Sequence, residues 1–137
     1  MPEELVKSVL GADLSELQEM LRRGAVNSEG LVHIFGARCQ SHGRRLNLVT
    51  QEYYEIALAE AKKKDTEREE KKREGNLSHL GPLHGIPVSI KDHIFEQGKP
   101  ATVGCSFRVD HRATEDAAVI KMLTSEGAIP MVRTNMV

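Results

Sequence analysis

Gly81-Pro82-Leu83-His84-Gly85-Ile86-Pro87-Val88-Ser89-Ile90-Lys91-Asp92 is the stretch on which the reading of this chain turns. Residues 86–90 form a short apolar run bounded by Gly and Pro, the pattern of a strand buried on both faces. The run stops at Lys91. A strand that crosses a core and ends on lysine sets an amine at the end of a sheet, where clefts open. Exclusion of water there favours the neutral amine, which can accept a proton. The same spacing also suits a solvated surface lysine, the commoner case. Ser89 lies two positions earlier on Lys91's side of the pleat and reads as structural.

Downstream, residues 95–113 contain Gly98, Pro100 and Gly104 without periodicity and read as loop. Thr114-Glu115-Asp116 opens a helix, with Thr114 as cap and two acids at the positive end of the dipole. Val119, Ile120 and Leu123 supply its inner stripe, and Gly127 stops it. Residues 128–132 make a second apolar strand, in which Pro130 hints at an edge or a bulge. Strand, helix, strand is a βαβ unit, with parallel strands and a right-handed crossover. Asp92 reads as a turn residue, with a hydrogen-bonding role near Lys91 as the alternative. His84 and His93 flank the strand without a third ligand at a recognisable spacing, so both read as loop histidines.

Upstream, Asp13-Leu14-Ser15-Glu16 is a capping box, followed by Leu14, Leu17 and Leu21 at helical spacing and a stop at Gly24. Ser28 is the expected cap of a second helix. Its inner face carries Leu31, Ile34, Phe35, Arg38 and Cys39, and Gly43 ends it. His33 and His42 fall on opposite sides of that helix and cannot share a metal. Residues 46–50 are a strand candidate. A third helix starts near Gln51 with Tyr54, Leu58 and Ala61 facing inward. Its tail, residues 62–74, interleaves basic and acidic side chains. Mixed sign points to a solvated helix face rather than a nucleic-acid arm. Gly75-Asn76 ends it.

The chain has 137 residues, one domain at most. A chain of that length can bury roughly two thirds of its unfolded surface. A net charge of -1 and the absence of Trp argue against nucleic-acid binding. Cys39 and Cys105 stand far apart and form neither a CxxC pair nor a disulfide framework. No run approaches the roughly 20 apolar residues of a membrane span. Met1-Pro2-Glu3-Glu4 lacks the features of a signal peptide. The expectation is a cytoplasmic protein, with peripheral membrane contact left open.

Gly81 to Asp92 resembles the lysine motif of the amidase signature family, serine hydrolases that cleave carboxamides with a Ser-Ser-Lys triad. The resemblance extends further. Leu46-Asn47-Leu48-Val49-Thr50 with Ala57-Leu58-Ala59-Glu60-Ala61 and Asp65 resembles that family's first strand and following helix. Thr102-Val103-Gly104-Cys105-Ser106 resembles its T-x-G-x-S loop. Residues 115–120 and 126–130 are similar to its next helix and turn, and Arg133-Thr134-Asn135-Met136 to a strand end. Similarity covers about 14–136 and is greatest toward the fatty-acid-amide-hydrolase-like and acetamidase-like branches.

The resemblance implies an α/β fold, a mixed sheet covered by helices, of which this chain is the N-terminal part. The organisation expected is a helical lead-in over 1–45, the charged helix tail over 62–74 and the lysine-strand βαβ unit over 82–135, all within one domain. It implies Lys91 as the general base, a small-molecule amide as substrate, and neither metal nor organic cofactor. It also implies a nucleophilic serine and a bridging serine in a Gly- and Ser-rich segment. Ser89, Ser106 and Ser125 occupy no such context, and Val137 follows Met136 where the family commonly has Pro or Asp. A partial sequence or truncated frame is therefore expected, inactive alone, with an uncovered sheet edge. Whether it forms a homo-oligomer stays open. The rival is a non-catalytic interaction protein that pairs with a full-length relative. A nucleotide-binding module is disfavoured, because Gly81 and Gly85 precede their strand instead of following it.

Overall fold

The computed structural model describes residues 1–136, so the expectation attached to Val137 lies outside the described residues. Three helices lead: α1 Glu3–Gly11, α2 Leu14–Arg23 and α3 Ser28–Arg38. No periodic stripe announces α1; Glu3 and Glu4 suit its dipole and Val9, fully buried, anchors it. The capping box of α2 forms as expected. The Asp13 carboxylate accepts the Glu16 N–H at 2.9 Å and Glu16 accepts the Asp13 N–H at 2.7 Å. Gly24 closes the helix in the left-handed region with φ 75°. Leu17, Met20 and Leu21 are buried, while Leu14 faces water.

Helix α3 departs from expectation at both ends. Asn27, not Ser28, is the cap: its side-chain oxygen accepts the Gly30 N–H at 2.9 Å. Ser28 is the first helical residue and is fully buried. Nor does Gly43 end the helix. The chain passes through a π-helical turn, Cys39–Gly43, stays helical to Arg45 and leaves through Asn47 at φ 52°. Nor does α3 bury a single inner stripe. Leu31 and Ile34 pack with α1, α2 and Ile86, whereas Val32 joins a second cluster with Ala57, Ala61, Ile129, Met131 and Val132. Phe35 touches both, and Arg38 is exposed. A helix clasped on two sides loses its one-sided pattern.

Strand β1 spans Val49–Glu52, three residues later than expected, because the Leu46–Leu48 region is turn and both leucines are exposed. Helix α4, Tyr54–Arg73, then runs unbroken through the charged tail to Gly75. The lysine strand is β2, Pro87–Lys91; helix α5, Ala118–Ser125, and strand β3, Ile129–Thr134, follow.

Strand order is β1-β3-β2, with β2 parallel and β1 antiparallel to β3. The β2–α5–β3 unit is thus the parallel βαβ expected. Pro130 lies on the central strand rather than an edge. Pairing with β1 stops at Val132, beyond which a missing N–H breaks no β1 ladder bond, and a bulge against β2 falls between Val88 and Ser89. Thr114 does not cap α5. That helix starts at Ala118, and the Asp116 carboxylate instead accepts the Gln97 N–H at 2.7 Å. Ile120 alone of its stripe is fully buried; Val119 is exposed.

Candidate active site

Lys91 ends β2 opposite Thr134, and its carbonyl accepts the Ile94 N–H at 2.9 Å, which turns the chain sharply off the sheet. The side chain is half-buried. Ser89 is exposed one pleat back on the same face. The nearby acids are engaged elsewhere: Asp92 and Glu96 pair with Arg133, and Glu96 also with Lys99. Among the described residues Lys91 has no ion-pair partner.

Asp92 is a turn residue, as expected, but a buried one. It is 2% exposed, and its carboxylate accepts the Thr102 hydroxyl at 2.5 Å. Its N–H donates to the Thr134 carbonyl at 3.0 Å. Beneath it lies Arg133, wholly buried on β3. The guanidinium donates to the carbonyls of Asp92 at 2.7 Å and Ile94 at 2.9 Å, and to Glu96 at 3.3 Å. Lys99 stacks over the Tyr53 ring at 4.0 Å. Burial pushes the Tyr53 phenol up, against the pull of Arg133. Two cations and two carboxylates thus neutralise one another under the loop that follows the lysine. Nothing local marks Arg133 as buried; the one available signal is an arginine closing an apolar strand.

Behind the strand stands a second polar seam. Arg68, from the charged helix, is 7% exposed rather than solvated. It donates to Asp65 at 2.7 Å, to the Ser28 hydroxyl at 3.0 Å and to the His84 carbonyl at 2.9 Å. Asp65 in turn accepts the N–H groups of Ser28 and Glu29. The rest of the tail behaves as expected, with exposed pairs such as Lys63–Glu60 and Lys71–Glu74. His84 is buried, with its Nε2 hydrogen-bonded to the Lys64 carbonyl at 2.9 Å. Burial holds its imidazole below the usual range. His93, His33 and His42 are exposed. Among the described residues no group of three or more His, Cys, Asp or Glu side chains is arranged to hold a metal. Among the described residues no helix is long and apolar enough to cross a membrane.

The Amidase family model matches residues 30–137, so the chain belongs to the amidase family. Amidase 1 of Gibberella moniliformis is 31% identical over 128 residues, 93% of this chain and 24% of that protein. Fatty-acid amide hydrolase 2-B of Danio rerio is 35% identical over 121 residues, 88% of this chain and 23% of its own. The crystal structure of an amidase family protein from Bacillus anthracis superposes with a TM-score of 0.81 at 34% identity, over 99% of this chain and 27% of that one. The chain therefore spans about a quarter of the length of the curated relatives it matches.

Proposed function

We propose that this chain carries the lysine-bearing part of an amidase active site that hydrolyses carboxamides or fatty-acid amides, with Lys91 as general base. The observation that supports it most is the placement of Lys91. It ends a parallel strand, half out of water, beside acids that are already paired. In that role the neutral amine accepts a proton, and no neighbouring carboxylate among the described residues competes for it.

In the mechanism proposed, Lys91 Nζ accepts a proton from a bridging serine as that serine takes one from the nucleophilic serine. The resulting alkoxide attacks the amide carbonyl, the amine leaves with a proton returned along the same path, and water hydrolyses the acyl-enzyme. Ser89, Ser106 and Ser125 are poor candidates for those serines: all three are exposed, and Ser125 is spent on the Met122 carbonyl. Both serines are therefore proposed to come from outside the 137 residues.

The test is hydrolysis of a series from acetamide to long-chain fatty-acid amides by the native product, with and without Lys91→Ala. Loss of about 10²–10⁴-fold supports the base role; unchanged turnover overturns it. Exposed apolar side chains, Phe107 at 85% and Met122 at 68%, favour further protein packing here and so also support a second reading, a non-catalytic chain paired with a full-length relative. A native product of 15.2 kDa that co-purifies with such a relative would favour it over the first.

A further inference from the structure

We infer that Arg133 and Asp92 are positioning residues that hold the Lys91 turn and the 102–104 loop in one fixed relation. The inference rests on Lys91 being the base. A buried guanidinium requires acceptors and countercharge. Arg133 draws them from the segment immediately past Lys91: the carbonyls of Asp92 and Ile94, the Glu96 carboxylate, and Asp92 Oδ1, 3.8 Å from its Nε.

Asp92 passes the constraint outward. Its other oxygen receives the Thr102 hydroxyl, and that hydroxyl accepts the Gly104 N–H at 3.2 Å. A continuous line thus runs from the central strand through Arg133 and Asp92 to the loop. The loop needs such a hold. Val103 sits at φ 54° and Gly104 at φ 75°. A β-branched residue in the left-handed region is strained, and the surrounding contacts must maintain it. The same line fixes the far side of the turn that Lys91 opens, while pairing with Thr134 fixes the near side.

The test uses the full 137-residue chain. Arg133→Lys keeps the charge that Asp92 and Glu96 require but lacks the planar fork that reaches two carbonyls and a carboxylate together. Two readouts are followed: backbone hydrogen exchange, and the pH dependence of Lys91 acetylation with exposed Lys72 as internal reference. In Arg133→Lys, exchange across 92–104 is expected to rise at least about tenfold while α2 and α3 stay as in wild type. The acetylation profile of Lys91 departs from its wild-type form, while that of Lys72 does not. Thr102→Val cuts only the outer link and is expected to release 102–104, with a smaller change at Lys91. It carries the test should Arg133→Lys not fold. Wild-type exchange and acetylation in the folded variants would overturn the inference. Failure of the amidase reading is seen separately, as turnover indifferent to Lys91→Ala, and moves neither readout.

Discussion

Arg68 donates from Nη2 to the His84 carbonyl at 2.9 Å, so the charged helix α4 is bonded to the turn that feeds the lysine strand. The same guanidinium holds Ser28 and Asp65, and Asp65 holds the first amides of α3. One side chain therefore joins three segments. Arg68→Met leaves Asp65 partly buried without its partner. It is expected to lower stability by about 3 kcal/mol in urea denaturation, with Arg68→Lys falling between it and wild type.

Gly85 tests how tightly that junction is packed. Its φ is 83°, and a methyl group there would overlap the Ser28 hydroxyl and the Arg68 guanidinium. Gly75 has a similar φ of 73° but open space around it. Gly85→Ala should abolish cooperative folding as followed by circular dichroism. Gly75→Ala should cost only about 1–2 kcal/mol, the left-handed penalty alone.

His84 makes stability depend on pH. Burial disfavours its charged form in the folded state. The unfolded chain therefore takes up this proton first, near pH 6.5. The contribution is fully present above that value and is lost as pH falls toward the lower folded pKa. Denaturation midpoints between pH 5 and 8 should decline on the acid side. In His84→Gln, which can still donate to the Lys64 carbonyl, the curve should be flatter across that window. An unchanged slope would mean that His84 is not the group responsible.

Lys91→Ala should separate chemistry from folding. Lys91 makes no ion pair among the described residues and is only half-buried, so the substitution removes mainly stem packing. A thermal melt should shift by the equivalent of less than about 1 kcal/mol. A large loss of stability would show that Lys91 supports the fold, and any loss of turnover could then not be assigned to proton transfer.

Features written in neighbouring residues were legible from the sequence. The capping box of α2, the stop at Gly24, the strand into Lys91 and the parallel βαβ unit all depend on local pattern, and all are present, although of that strand only Ile90 is fully buried and Ser89 is exposed. Misreadings cluster where distant chain intervenes. Ser28 looks like a cap, but Asp65 and Arg68 from α4 claim it. Thr114-Glu115-Asp116 looks like a helix start, but Asp116 binds Gln97 in the preceding loop. Pro130 reads as an edge or a bulge residue; the bulge is there, opposite Val88 and Ser89, but the edge is not, because β1 pairs with β3 from the other side.

By itself, the sequence determined the order of elements from α2 onward, the position of Lys91 at a strand end and the similarity to the amidase family, because spacing and turn chemistry act over a few residues. Only the tertiary structure decided which charges are buried. Arg133 meets Asp92 across 41 residues of chain, and Arg68 meets Ser28 across 40. An arginine can leave water only where acceptors converge on it, and that convergence belongs to the folded chain as a whole.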